Sequence, residues 1–296
     1  MRRIAVINQK GGVGKTTTAV NLGAALAHRD KTVLLIDIDP QANLSVHLDI
    51  DIVRLELTVY QVLIGDVPLA SAMHPTRTPG LLVVPSNIDL SGAELELASM
   101  VGRETILRDA IDEIAGKPVP IVGRPEEDAE PSEEPPAKRP IDFVIIDCPP
   151  SLNLLTLNAL AAAEEVFIPV QTQFFALQGM SKLLDIVGKV QKRLNPSLAI
   201  SGILPCMFDT RTRLSHDVLA EIRDYFKERV FETKIRDNVR LAEAPSHGQT
   251  IFEYAAESYG SEDYAALADE VLSREAAAGS PATPKSADQP VGTRTH

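Results

Sequence analysis

The segment Gln9-Lys10-Gly11-Gly12-Val13-Gly14-Lys15-Thr16-Thr17 joins an apolar run, Ile4-Ala5-Val6-Ile7, to a stretch with helical patterning that opens near Thr16. A glycine-rich turn between a strand and a helix is a phosphate cradle. Its backbone N–H groups point at one anion, and the helix N-terminus adds a partial positive charge. In such a cradle Lys15 reaches the β- and γ-phosphates and the Thr16 hydroxyl ligates Mg²⁺. The sequence therefore predicts a nucleoside-triphosphate site formed by Gly11, Gly12, Val13, Gly14, Lys15, Thr16 and Thr17. Gln9 stands where the usual P-loop has glycine, and Lys10 is a second lysine that a solitary cradle does not need. On surface statistics alone an isolated lysine is as readily a solvated side chain.

Two further segments end in acidic residues: Thr32-Val33-Leu34-Leu35-Ile36-Asp37-Ile38-Asp39-Pro40-Gln41 and Phe143-Val144-Ile145-Ile146-Asp147-Cys148-Pro149-Pro150-Ser151. Apolar, β-branched runs of this kind are buried parallel strands that deliver carboxylates to the carboxyl edge of a sheet, where phosphate sites lie. A single Asp at a strand end is more often a cap or turn residue. Two of them beside a P-loop reverse that weighting.

The run KGGVGKTTT, with its second lysine, resembles the deviant Walker A motif of the ParA/MinD ATPases. The 32–41 run resembles that family's second acidic motif and the 143–151 run its Walker B motif. Asn238-Val239-Arg240-Leu241-Ala242-Glu243-Ala244-Pro245-Ser246 resembles the Soj-like chromosomal ParA branch. The likeness spans nearly all of the chain outside one insert and the C-terminal tail. It implies ATP and Mg²⁺ as cofactors and an ATP-dependent homodimer in which Lys10 touches the phosphates held by the partner subunit. It further implies that Asp39 orients the attacking water, that Asp147 holds Mg²⁺ through a water, and that Asp37 supports the metal side. Hydrolysis would be stimulated by a ParB-like centromere-binding protein.

Apolar strand candidates recur near residues 3–8, 32–38, 81–85, 143–148, 165–170, 199–206 and 230–235, with helical patterns such as Thr16 to His28 and Ser215 to Lys227 between them. That alternation predicts an α/β fold with a doubly wound, mainly parallel sheet and helices on both faces. One domain is expected over residues 1–273. A Pro- and Glu-rich insert at about 116–140 and a tail over 274–296 have too little apolar material to form a core, and both are expected to be disordered. With the first strand candidate so near the first residue, no winged-helix DNA-reading domain is expected.

The formal net charge of −12 argues against a chain coated in nucleic acid. Locally, however, Arg211-Thr212-Arg213 follows one strand candidate, and Arg236 and Arg240 follow the next. Both groups are expected at the same sheet edge. In Soj-like relatives the positions matching Arg211 and Arg240 help bind double-stranded DNA without sequence preference. Arg211, Arg213 and Arg240 are therefore candidate DNA contacts, and the competing expectation is that these arginines pair with Asp209, Asp237 or Glu243. Many Soj-like chains carry Ile-Pro-Arg-Asn where this one has Ile235-Arg236-Asp237-Asn238. That loop lies beside the base in relatives, which makes Arg236 and Asn238 candidate base contacts. Cys148 and Cys206 are expected to be reduced core residues, and the absence of CxxC argues against a shared iron–sulfur cluster. No secretory signal, membrane span or basic terminal helix is apparent, so a cytoplasmic, nucleoid-associated protein without a membrane partner is expected. Two other readings share some of these motifs: a positioning ATPase for a protein assembly, and a metabolic P-loop enzyme resembling dethiobiotin synthetase.

Overall fold

The computed structural model describes residues 1–65, 67–121, 123, 136–173 and 180–279. Its strands in chain order are β1 (Arg2–Val6), β2 (Val33–Asp37), β3 (His74–Pro75), β4 (Leu81–Val84), β5 (Pro118–Pro120), β6 (Lys138–Pro140), β7 (Phe143–Asp147), β8 (Glu165–Gln171) and β9 (Ala199–Cys206). Seven of them form one sheet in the order β3-β4-β2-β7-β1-β8-β9, while β5 and β6 pair separately. Every contact in the large sheet is parallel except that of the two-residue edge strand β3 with β4.

β2 and β7 are apolar at every position before their final carboxylates because both faces are covered. Alternate residues separate into two cores. Leu34, Ile36, Val144 and Ile146 face one, and Val33, Leu35, Phe143 and Ile145 face the other. The helices Lys15–Ala27 and Tyr259–Gly279 pack against each other on the second face. Strand register then fixes the chemistry. Val6 lies beside Asp147, and Asp37 lies beside Asp147. The entrance to the glycine loop and two acids therefore leave the sheet side by side at its carboxyl edge.

The expected strand at 230–235 is not one. Its ladder is interrupted: the N–H of Phe231 reaches Ile203 and that of Ile235 reaches Pro205, but the N–H groups of Glu232 and Thr233 between them donate to the Glu270 carboxylate, each at 2.9 Å. Only isolated bridges to Ile203 and Phe208 remain. The last helix also runs beyond the expected domain end at 273. Arg274, placed in the tail by composition, donates to the carbonyls of Ser201 and Val230 and lies over the Phe231 ring. Residues 280–296 and most of the Pro- and Glu-rich insert lie outside the described residues. The two ends of the insert are joined by the β5–β6 pairing.

Gly202 in β9 is required by packing. A Cβ there would sit 2.6 Å from Phe231 Cζ and 3.0 Å from Phe167 Cδ1, two rings in edge contact at 5.1 Å. Gly202→Ala should destabilise the fold by about 1–3 kcal/mol through overpacking. Thermal denaturation should show Tm lowered by roughly 2–4 °C per kcal/mol, and an unchanged Tm would mean the rings shift freely.

Candidate nucleotide-binding and hydrolytic site

Gly14 is the N-cap of the helix Lys15–Ala27 and makes no side-chain cap, which leaves the first helical N–H groups facing the loop's interior. Gly12 and Gly14 have φ of 70° and 94°, values that L side chains avoid. Asn8 braces the loop from below: its Oδ1 accepts the Lys10 N–H and its Nδ2 donates to Pro169. The glycine loop, Lys15, Thr16, Thr17, Asp39, Gln41, His47 and Pro245 line one cavity of about 400 Å³. Lys15 is buried in its wall. A smaller cleft of about 150 Å³ adjoins it, sharing Gly14 and Thr17, and is lined further by Val13, Met207, Ile235, Asn238, Leu241 and Tyr264. Phosphates suit the first cavity and a flat base the second.

Thr16 Oγ1 donates to Asp147 Oδ2 at 2.6 Å, while Asp147 Oδ1 is buried without a partner. Asp147 is pushed up from the usual carboxylate range, first by burial and then by the charge of Asp37. The Thr16 hydroxyl and the Lys15 ammonium pull the other way. Burial likewise raises Asp37 to about 6. Its Oδ1 accepts the Asp39 N–H and its Oδ2 accepts both the N–H and the hydroxyl of Ser45. Asp37 therefore braces the backbone that carries Asp39. Asp39 is 8% exposed, on the cavity wall, and its Oδ1 accepts the Gln41 N–H. Two buried acids, an orphan carboxylate oxygen and a threonine hydroxyl fit Mg²⁺. Among the described residues no group of three or more His, Cys, Asp or Glu side chains could hold a metal ion by itself. Mg²⁺ takes one or two carboxylates and completes its shell with phosphate and water.

The remaining candidates divide. Lys10 Nζ donates to Gln171 Oε1 at 2.6 Å, and Gln171 Nε2 donates to the Gly12 carbonyl. Arg236 borders the base cleft, but its guanidinium is committed to Asp263 and Glu262 and lies 4.2 Å from the Tyr259 ring centroid. Asn238 Oδ1 caps the short helix Val239–Glu243 through the Arg240 N–H. The Phe208 and Asp237 backbones bond the 207–213 and 235–240 segments together, which puts both arginine groups at one edge. Arg211, Arg213 and Arg240 are solvent-facing and pair with Asp209, Asp217 and Glu243. Asp209 and Glu243 match the competing expectation. Asp237 does not take Arg236, because Asp263 holds both its N–H and its guanidinium. Cys148 and Cys206 are buried free thiols; burial pushes Cys206 up to about 12. Tyr264, His47 and Gln171 were not indicated by any motif. Tyr264 lies 246 positions from Thr18, whose hydroxyl it meets.

The acids make cation binding pH-dependent. For Asp37, a folded-state value near 6 lies above the ordinary 3.8, so ionisation costs stability as pH rises through that interval. His47 opposes it: burial lowers the imidazole to about 4, and stability is lost as pH falls from about 6.5. Bound Mg²⁺ favours ionised carboxylates, so the rise in Tm produced by Mg-ADP should be larger at pH 7 than at pH 5. Equal shifts at the two pH values, by calorimetry, would contradict the assignment of these acids to the metal side.

A family model described as an AAA domain matches residues 1–117 and 135–200 and leaves the middle of the insert unmatched. The chromosome partitioning protein ParA of Myxococcus xanthus is 44% identical over 285 residues, covering 96% of this chain and 90% of that protein. The sporulation initiation inhibitor protein Soj of Bacillus subtilis is 46% identical over 268 residues, covering 90% and 97%. A solved chain named cobyrinic acid a,c-diamide synthase, from Mycobacterium smegmatis with a bound ATP analogue and magnesium, matches with TM-score 0.77 at 36% identity over 94% and 97% of the two chains. The septum site-determining protein MinD of Pyrococcus horikoshii, complexed with Mg-ADP, matches with TM-score 0.70 at 25% identity over 94% and 97%. With the P-loop, both acidic strand ends and the sheet order in place, this chain belongs to the ParA/Soj family of ATPases.

Proposed function

We propose that this chain is a DNA-segregation ATPase that binds ATP with Mg²⁺, dimerises, holds duplex DNA without sequence preference and is reset by hydrolysis. The observation that carries the reading is the single cavity shared by the glycine loop, Lys15 and Asp39, with the Thr16–Asp147 pair at its edge. Lys15 and the helix N-terminus neutralise the phosphates, and Thr16 with Asp147 would hold the magnesium. When bound, Mg²⁺ offsets the charge that builds on the transferring phosphoryl group. Asp39, fixed through Asp37 and Ser45, orients water for in-line attack. Phosphoryl transfer asks for positioning and charge stabilisation rather than covalent chemistry, and these groups supply both.

Lys10 lies outside its own cradle, held by Gln171. That placement supports its use on the phosphates of a second copy. In a dimer Arg211, Arg213 and Arg240 are doubled, and ion pairs as exposed as theirs are weak enough for DNA phosphates to displace. The partner expected from the family is a ParB-like protein that stimulates hydrolysis, and the location is the nucleoid. Among the described residues no helix is long and apolar enough to cross a membrane. A second reading, a metabolic P-loop enzyme that uses ATP on a small-molecule acceptor, is favoured by the name of the Mycobacterium smegmatis chain, a cobyrinic acid a,c-diamide synthase. It predicts nucleotide binding with no ATP-dependent affinity for DNA.

Two variants separate the lysine and acid roles. Asp39→Ala should keep ATP affinity and accumulate dimer on light scattering, with hydrolysis reduced by about 10²-fold or more as water positioning is lost. Lys10→Ala should keep ATP affinity in the monomer and fail to dimerise. Wild-type hydrolysis by Asp39→Ala, or loss of ATP affinity in Lys10→Ala, would overturn the respective role.

For DNA, Arg211→Ala combined with Arg240→Ala should weaken ATP-dependent binding to several unrelated duplexes alike. The slope of log K against log[salt] should flatten by roughly 0.9 per lost phosphate contact. An unchanged slope, with dimerisation verified in parallel, would move the DNA surface elsewhere.

A further inference from the structure

The chain that carries Asp39 continues into the arginine side of the molecule. After Asp39 it enters the five-residue helix Asn43–His47 and turns at Asp49, whose φ is 57°. His47 is 1% exposed and lies on the wall of the phosphate cavity. Its Nε2 sits 3.1 Å from the carbonyl of Gln249. Since a carbonyl only accepts, Nε2 carries the proton, and a neutral imidazole has no other N–H to give. Gln249 closes the segment that begins at Arg240. The helix Val239–Glu243 runs straight into the turn Ala244–His247 and then Gly248, at φ 61°. Gly248 packs on the other segment as well, because a Cβ there would fall 2.6 Å from Asp49 Cβ. Pro245 lines the phosphate cavity from this side.

Two short segments thus lie side by side, fastened at His47–Gln249 and Asp49–Gly248. Helices this short hold their place through tertiary contacts rather than through their own stability. Separating them would leave a part-buried carbonyl and a buried imidazole N–H unpaired, which is a substantial cost.

We propose that His47 is a positioning residue that locks the Asp39 segment to the Arg240 segment, so that filling the phosphate cavity with ATP fixes the arginine surface and loss of the γ-phosphate releases it. This deepens the reading above and rests on it. The hydrogen bond gives the coupling its material form: one end of the lock is braced to Asp37 through Ser45, and the other carries Arg240, whose guanidinium is held by Glu243.

The test compares His47→Leu, which keeps apolar bulk and deletes the donor, with His47→Gln, which restores an N–H of similar reach. Three quantities are read on the full chain: ATP affinity by calorimetry, single-turnover hydrolysis, and the ratio of random-duplex affinities in Mg-ATP and Mg-ADP. His47→Leu should lower the affinity ratio and the hydrolysis rate each by about tenfold, the effect of one orphaned, part-buried acceptor. Its ATP affinity should change much less. His47→Gln should recover most of both losses. Should His47→Leu fail to fold, Gly248→Ala, which strains the same contact from the other side, should give the same loss of coupling. A folded His47→Leu with wild-type ratio and rate would overturn the proposal, as would failure of His47→Gln to recover either quantity. So would wild-type behaviour of Gly248→Ala. If the wild type binds no DNA in either state, the functional reading fails instead, and the role of His47 is then decided by the hydrolysis rate alone.

Discussion

Two carboxylates at neighbouring ends of buried strands are the constraint around which the site is arranged. Asp37 and Asp147 are level because β2 and β7 pair in parallel register, and both are almost fully buried. Ionised together without a cation they repel each other in a poorly solvating environment. The surroundings answer this in two ways. Asp37 is satisfied internally by Ser45 and the Asp39 N–H. Asp147 is satisfied on one oxygen by Thr16 and left open on the other. Asp37 is thus held as a scaffold, while Asp147 keeps one buried carboxylate oxygen without a protein partner. The same register puts the P-loop next to them, because β1 pairs with the other side of β7.

From that edge the structure extends outward in loops rather than in new layers. Asp39 takes its position from the Asp37 carboxylate, the helix Asn43–His47 follows, and the turn at Gln249 meets it. Arg211, in the turn after β9, and Arg240, in the short helix Val239–Glu243, stand at the same edge of the sheet, paired with carboxylates in solvent where such pairs are easily exchanged. Arg236 differs. Its guanidinium, stacked by Tyr259 and held by Asp263, ties the loop of the base cleft to the last helix. The same contacts hold the shape of that cleft, which Arg236 borders.

Much of the fold could be read from sequence because the decisive signals are local. Apolar runs ending in Asp show buried parallel strands, and glycines at 11, 12 and 14 show the cradle. The strands from β1 to β9 of the main sheet follow the same patterns, apart from the short β3. Residues 230–235 have a strand's composition, but Glu270 captures the N–H groups of Glu232 and Thr233, and no local pattern reveals a partner 37 or 38 positions away. The run of the last helix past 273 has a similar origin: Arg274 sits in an Ala-rich stretch that looks like tail, yet packs on Phe231. His47, Gln171 and Tyr264 could not be singled out, since each matters only through a contact more than 150 positions distant in sequence.

On the proposed reading, chemistry at the acidic strand ends governs the arginine surface. The most direct test of that reading is equilibrium binding of the unmodified protein to random-sequence duplex DNA in Mg-ATP, in Mg-ADP and without nucleotide, at fixed salt. Tight binding is expected in Mg-ATP, and weak, similar binding in the other two states. Equal affinity in all three, or no binding in any, would contradict that reading.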